Sequence, residues 1–591
     1  RGAVCFAATS ALLNDAADVQ KAVFAVLEKH GDKQDPTLRA RLGELSGAVR
    51  ASLGPELKAW IGAPVSQENP APASSVVTST ISSRANEPRR VVPPTDPSRA
   101  IVPIGSVDEL LDRAAAMLET TEDTDAVERV LEGICRLCDR RSADFERRAA
   151  PLAKRALKVA ARFQSGPNYN PVMEQTLARL VLSWLSATDV LSQAEDFNLG
   201  EHEPRGFLFR RLGAIAAQVA RGRALPLLSA PTHCGGWIAP ATLIARWIEW
   251  QRAEATPDRH EQVLALLRLA PEGRAEVLPA ARDLEGEAGR VVRHALGEKG
   301  EPGADAAIWL AAYRSWQPHG DLPEFEQAHP KLGPDAGPGA RYVLATRGGV
   351  AEGADLSKIP LEVRTEPAMP AQTDPALLPV LCHQPAPRFG ISSRALSRWQ
   401  AQLWPANREP FFAGAITTLQ VAVGWSDTRD RATIGCLEPL AEPHTELRAM
   451  ACHALALGLA AKDAVLRRHA QEALIAAIAD DRLSAAAAEL GGTMAFHFHT
   501  AGNKVGRGAK CLGEVARVSE AHARAVGELV QHALRGEPAN APREMGMLLE
   551  VLVEVLSATN MRITVEIARE YLAACKGSGK PAKLARQLLA R

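Results

Sequence analysis

Aromatic residues are scarce in this chain of 591 residues: Phe, Trp and Tyr make up 5% of it, although 46% is hydrophobic. The apolar content is mainly Ala, Leu and Val, a composition that suits helices whose axes approach closely through small side chains. An excess of either charge is missing too. Lys plus Arg and Asp plus Glu each number 69, so the formal net charge is zero and no global field draws the chain to nucleic acid or anionic membrane. No apolar run reaches the roughly 18 residues that a membrane span needs. The opening RGAVCFAATS lacks the basic, apolar and cleavage-site order of a signal peptide. It also lacks an initiator Met, which reads as a start inside a longer product. Nine cysteines are scattered without a paired framework. An odd, unframed set fits a reducing cytoplasm better than a secreted disulfide scaffold, so the expected location is cytoplasmic.

Helical periodicity dominates what is present. In DAADVQKAVFAVLEKHG, Asp15 or Asp18 is placed to cap a helix, and Val19, Val23, Val26 and Leu27 form an apolar stripe that Gly31 closes. A second helix, PTLRARLGELSGAVRASLG, follows a polar run, and two short antiparallel helices make one unit of an α-solenoid. The clearest internal echo is near residue 450. TELRAMACHALALGL and AVLRRHAQEALIAAI align at a 19-residue offset, matching Leu447 with Leu466, Arg448 with Arg467, Ala451 with Ala470 and Leu455 with Leu474. The expected fold is all-α: a solenoid of HEAT-like helical hairpins, interrupted by a Pro-rich linker and a small irregular or β insertion.

Those interruptions divide the chain. Residues 63–103 are rich in Pro and Ser and read as a linker or strap. Residues 318–390 are dense in Pro and Gly, and within them RYVLATRGG and LEVRTE have strand character. The blocks are then an N-terminal helical piece (1–62), the linker (63–103), a middle array (104–317), the insertion (318–390) and a C-terminal array (391–591).

Few stretches carry chemistry. PLLSAPTHCGGWIAP, 226–240, joins three helix-stopping prolines to Gly235 and Gly236. Thr232, His233 and Cys234 are adjacent and diverge, which does not suit a nucleophile–base pair. The stretch reads as a bend between helices, with Trp237 plugging the gap, and Thr232, His233 and Trp237 are its candidates for partner recognition. MAFHFHT, 494–500, is the metal candidate: if extended, His497 and His499 share a face. A site needs more ligands, and Cys511, His453 or His444 are the residues to supply them. Cys135 and Cys138 have CxxC spacing but sit in a helical stretch, as core packing. GSGKP, 577–581, is not a phosphate loop, since Ala574 and Pro581 occupy positions that need Gly and Ser/Thr; Ser578 is the expected helix cap. GNKVGRGAK, 502–510, reads as a loop, with an anion-binding turn through Lys504, Arg507 and Lys510 as the alternative. Residues 139–162 hold eight Lys/Arg against three Asp/Glu. Arg140, Arg141, Arg147, Arg148, Lys154, Arg155 and Lys158 there form either a solvated ridge or a phosphate-binding face.

Four segments carry a resemblance: NDAADVQKAVFAVLEKHG, VDELLDRAAAMLETTEDTDAVERVLEGICRL, PLLSAPTHCGGWIAPATLIARW and the tail LLEVLVEVLSATNMRITVEIAREYLAACKGSGKPAKLARQLLAR. Together they resemble an uncharacterised bacterial family of α-helical, HEAT-like proteins encoded near MoxR-type AAA+ ATPases, von Willebrand factor A proteins and SWIM zinc-finger proteins. The resemblance implies a cytoplasmic, non-enzymatic scaffold or adaptor without a cofactor. Its expected partners are proteins, a MoxR-type AAA+ ATPase or a von Willebrand A protein among them, in an assembly linked to stress or phage defence. The alternatives are a nucleic-acid-binding array on the 139–162 ridge and a metal-dependent enzyme centred on His497 and His499.

Overall fold

The computed structural model describes residues 5–6, 8–13, 17–45, 54–61, 91–161, 172–191, 204–330, 341–346, 361–366, 374, 376, 394–424, 432–499, 504–542 and 544–590. Of the Pro/Ser-rich stretch 63–103, residues 63–90 lie outside the described residues, as do most of 318–390. The chain divides into two compact units, Arg1–Thr80 and Ile81–Arg591.

The first unit holds α1 (Ala17–His30), α2 (Pro36–Glu44) and α3 (Gly54–Ile61). Asp35 caps α2 through the amides of Thr37 and Leu38, with Pro36 in the first turn. The stripe of α1 is buried at Val23 and Leu27, joined by Phe24, and packs with Leu38, Leu42, Leu57 and Trp60. Gly31 closes α1 by donating its N–H to Leu27 O at 2.7 Å.

Among its described residues the second unit is all-α apart from one hairpin. Its first half runs through α4 (Val107–Met117), α5 (Thr124–Leu137), α6 (Phe145–Ala160), α7 (Val172–Ser186), α8 (Pro204–Ala220), α9 (Pro240–Arg252), α10 (Arg259–Leu267), α11 (Arg274–Ala281), α12 (Gly286–Ala295), α13 (Ala306–Trp316) and α14 (Pro323–Ala328). Starts are written locally: Ser106, Asp123, Asp258 and Asp305 each accept a first-turn amide. The strand-like stretches form β1 (Arg341–Thr346) and β2 (Leu361–Glu366), antiparallel with Arg341 opposite Glu366 and Thr346 opposite Leu361.

The second half comprises α15 (Arg394–Ala401), α16 (Glu409–Gly424), α17 (Ala432–Leu437), α18 (Ala449–Ala460), α19 (Ala464–Ala479), α20 (Arg482–His499), α21 (Val505–Ala516), α22 (Glu520–Ala533), α23 (Met545–Thr559), α24 (Glu566–Ala574) and α25 (Lys580–Leu589). Its packing alternates. The even helices α16, α18, α20, α22 and α24 stack in one layer, each on the next even helix. The odd helices α15, α17, α19, α21, α23 and α25 stack in a second layer in the same way. Small residues set the spacing: a Cβ on Gly491 of α20 would lie 2.4 Å from His532 Cβ of α22. Of the residues matched at the 19-residue offset, Leu447 and Leu466, Ala451 and Ala470, and Leu455 and Leu474 are all buried, but Leu447 precedes α18 while Leu466 lies within α19.

One cap here is long-range. Helix α18 has no capping side chain of its own, and Glu409 at the start of α16 accepts from Met450 N (2.9 Å) and Ala451 N (3.0 Å). Burial pushes the Glu409 carboxyl up, and the two amides offset this only in part.

Two hydrophobic cores fill the unit. One runs from Ile104 to Trp404, the other from Phe412 to Leu588. Helix α15 follows the Pro/Gly-rich stretch in sequence, yet its Leu396 and Trp399 belong to the first core.

Candidate recognition loop and its charge network

The loop 226–240 is held from below by buried arginines. Arg246 donates to the carbonyls of Leu228 (3.3 Å) and Ala230 (2.5 Å), and Trp250 Nε1 donates to Pro226 O (2.9 Å). At Ser229 the loop enters a charge network sealed from water. Ser229 N donates to Glu261 Oε2 (3.0 Å), Arg211 Nε donates to Ser229 Oγ (3.1 Å), and Arg268 donates to Ser229 O (2.8 Å). Arg211 grips Glu128 with both terminal nitrogens, at 2.9 and 2.7 Å, and Arg268 adds a third bond to Glu128 at 2.9 Å. Arg211 and Arg268 are fully buried, balanced by Glu128 and Glu261. Burial alone would raise the Glu128 carboxyl; Arg211 and Arg268 outweigh it and hold it at about 2. A pair of this kind is stable only when both partners and the remaining hydrogen-bond sites are satisfied, as they are here.

The loop tip is a narrow turn. Thr232 N (2.8 Å) and His233 N (3.0 Å) both donate to Trp237 O, and Ile101 N donates to Thr232 O (2.8 Å). Gly235 and Gly236 take φ of +87° and +92°, and a Cβ on Gly236 would meet Gln402 O at 2.8 Å. Both positions therefore require glycine. Thr232 Oγ1 accepts from Ala239 N and shares a bond with His233 Nδ1, each at 2.8 Å. Trp237, 3% exposed, packs edge-on against His444 at 6.1 Å between centroids. Of the recognition candidates, Trp237 and His233 are buried and Thr232 is half-buried, so all three serve internal contacts in this conformation.

Cys234 is half-buried and donates its thiol to Asp125, which also takes Gln402 Nε2 at 3.2 Å. Burial and Asp125 push the thiol up to about 11, so it is protonated and a poor nucleophile at neutral pH. Arg99 donates to Cys234 O (3.0 Å) and meets Glu442 at 3.5 Å. Burial, and then Arg99, lower the His233 pKa, leaving the ring neutral near pH 7.

The remaining candidates separate. The extended reading of MAFHFHT is corrected: His497 and His499 end helix α20, where positions two apart point about 200° apart rather than to one face. His497 Nε2 instead meets His453 Nδ1 of α18 at 3.0 Å. Cys511 donates to Leu459 O, and His444 lies against Trp237. Among the described residues, no group of three or more His, Cys, Asp or Glu side chains is placed to hold a metal. Cys135 and Cys138 are buried in and at the end of α5, with thiols pushed up by burial. Ser578 does not cap α25, whose N-cap is Gly579. Lys504, just before α21, and Lys510, on it, are exposed, while Arg507 turns inward to Val423 O and Ala460 O, both at 3.2 Å.

On the basic ridge, most arginines are engaged within the chain. Arg141 donates to the carbonyls of Trp184 and Leu185 and lies over the Phe145 ring. Arg147 pairs with Asp144, Arg148 with Asp108 and Asp144, and Arg155 with Glu119. Arg140, Lys154 and Lys158 are exposed.

Two known domains divide this geometry between them. Residues 96–334 match a domain of unknown function (DUF7824), and residues 357–590 match a second domain of unknown function (DUF7825). No curated protein and no solved structure matches the chain. The first matched domain contributes Arg99, Asp125, Glu128, Arg211, Glu261, Arg268 and the whole loop. The second contributes Trp399, Gln402, Glu442 and His444, so the loop tip lies where the two meet. No helix among the described residues is long and apolar enough to cross a membrane.

Sequence reasoning missed the network beneath the loop. Its one signal is the run of ionisable residues on otherwise apolar helix faces, such as Arg211 within FLFRRLGAIAA.

Proposed function

We propose that this chain is a non-enzymatic helical-repeat scaffold or adaptor that binds protein partners. The observation that carries the reading is the alternating packing of the second half, in which each helix lies on the helix two places along. Stacks of that kind have extended faces and grow without a closed active-site cavity, which suits protein binding. The loop geometry supports the same reading: its ionisable groups are spent on internal hydrogen bonds, and its thiol is held protonated. The resemblance in the sequence points to a MoxR-type AAA+ ATPase or a von Willebrand A protein as partner, with a cytoplasmic setting. The engagement of Arg141, Arg147, Arg148 and Arg155 within the chain favours a protein partner over a nucleic acid. Affinity purification of the tagged chain from its native host, followed by mass spectrometry, tests the proposal. A co-purifying protein at near-equal stoichiometry supports it; recovery of RNA or DNA in place of a protein overturns it.

A further inference from the structure

Three arginines gather beside the loop tip. Arg99 precedes α4, Arg408 precedes α16 and Arg482 opens α20. A Cβ on Gly235 would lie 3.3 Å from Arg99 Nη2 and 3.8 Å from both Arg408 Nη2 and Glu442 Oε2. Two guanidinium groups and one carboxylate therefore converge on the bare flank of Gly235. The φ of +87° there favours glycine and so keeps a side chain out of that flank.

The arginines are only partly paired. Arg408 is 6% exposed. Its Nε donates to Ala401 O at 3.2 Å and its Nη1 to Thr445 Oγ1, while Nη2 has no partner among the described residues. Arg99 gives Nη2 to Cys234 O at 3.0 Å, and its Nε is buried without a partner. Arg482 gives Nη1 to Leu440 O and Thr445 O; its Nε and Nη2 are buried without a hydrogen bond, and Nη2 meets Asp480 only at 3.5 Å. Buried donors without acceptors are costly, and an anion supplies the acceptors they need. The carboxylates nearby do not supply enough. Asp125 takes the Cys234 thiol and Gln402, and Glu442 meets Arg99 only at 3.5 Å. Burial lowers the Arg408 pKa; Glu442 opposes that shift, and the charges of Arg99 and Arg482 add to it.

We propose that Arg99 and Arg408 bind a phosphate group beside Gly235, and that Glu442 is the internal carboxylate which this group displaces. Glu442 can leave because its side chain is 42% exposed, against 16% for Arg99. A carboxylate ligand would only repeat what Glu442 already offers. A phosphate brings about −1.5 to −2 charges at pH 7 and three acceptor oxygens, enough to serve two guanidinium forks together. The phosphate is either a free anion or the end of a monoester. The site stands whether or not the chain binds a protein partner.

Isothermal titration of the full chain with inorganic phosphate tests this, with sodium chloride holding ionic strength constant so that general screening cancels. One saturable site per chain is expected. Arg99→Gln should weaken it at least tenfold; the variant keeps the main-chain bond from Cys234 N to Arg99 O, and circular dichroism checks that it folds. Glu442→Gln removes the competing charge at nearly constant shape and should tighten binding several-fold. Phenyl phosphate in the same titration separates the two sources: equal affinity assigns the site to a monoester, and lost affinity assigns it to the free anion. Absence of saturable binding in both the parent chain and Glu442→Gln overturns the proposal, as does equal affinity in folded Arg99→Gln and the parent.

Discussion

Trp399 donates its indole N–H to Glu128 over 2.6 Å, although 271 positions separate them in sequence. The bond carries helix α15 into the first core and ties the second matched domain to the network under the loop. Arg211 keeps Glu261, but Arg268 is paired with Glu128, so Glu128→Gln leaves one buried guanidinium charge uncompensated. A loss of about 3–5 kcal/mol is expected in chemical denaturation. Trp399→Phe removes only the bond and some ring surface and is expected to cost about 1–2 kcal/mol. Equal losses for the two variants would contradict the central place given to Glu128.

The turn at the loop tip depends on Gly236. Gly236→Ala places a Cβ against Gln402 O on a backbone with φ +92°. A destabilisation of roughly 1–3 kcal/mol is expected from strain at such a position. Gly222→Ala is the control, since its φ is also positive and nothing lies within 4 Å of its Cβ. A similar loss in both would show that the contact with Gln402 does not matter.

The His453–His497 pair makes stability depend on pH. Burial lowers His453 to about 4, and burial together with His453 lowers His497 well below its ordinary value. Unfolded histidines titrate near ~6.5. Between those values the unfolded chain binds more protons than the folded one, so stability falls as pH drops from about 6.5 toward 4 and is level above that window on this account. Urea midpoints across the window should drop in the parent chain, by the equivalent of roughly 1–3 kcal/mol, and drop less in His497→Gln. The same slope in both would remove the pair as its source.

The basic ridge offers a test between partner classes. Replacing Arg140, Lys154 and Lys158 with Gln should leave heparin retention nearly unchanged on the scaffold reading. A marked fall in the salt needed for elution would favour phosphate binding, whose affinity is set by such contacts.

Much of the architecture is legible in the sequence because its causes are local. Asp35, Ser106, Asp123, Asp305 and Asp463 each sit just before a helix and cap it. The hairpin strands show their β-branched and alternating character, and Ala451 and Ala470 lie on the apolar faces of their helices. MAFHFHT misleads because alternating aromatic and His residues imitate period two, while the preceding RLSAAAAELGGT carries α20 through them. The recognition candidates Thr232, His233 and Trp237 read as side chains on a loop, and their contacts with Ala100 and His444, like that of Gly236 with Gln402, join residues distant in sequence. Nothing near Glu409 shows that it caps α18 across the fold, and nothing near Glu128 names Trp399. Such contacts exist only after the helices have stacked, which is why periodicity finds the helices but not the network.

The most direct test of the scaffold account is native mass spectrometry of the tagged chain isolated from its host after nuclease treatment. The account predicts a species whose mass equals the 63.2 kDa of the chain plus the tag and a stoichiometric protein partner. A chain recovered only by itself, or one whose bound mass disappears with nuclease, would contradict it.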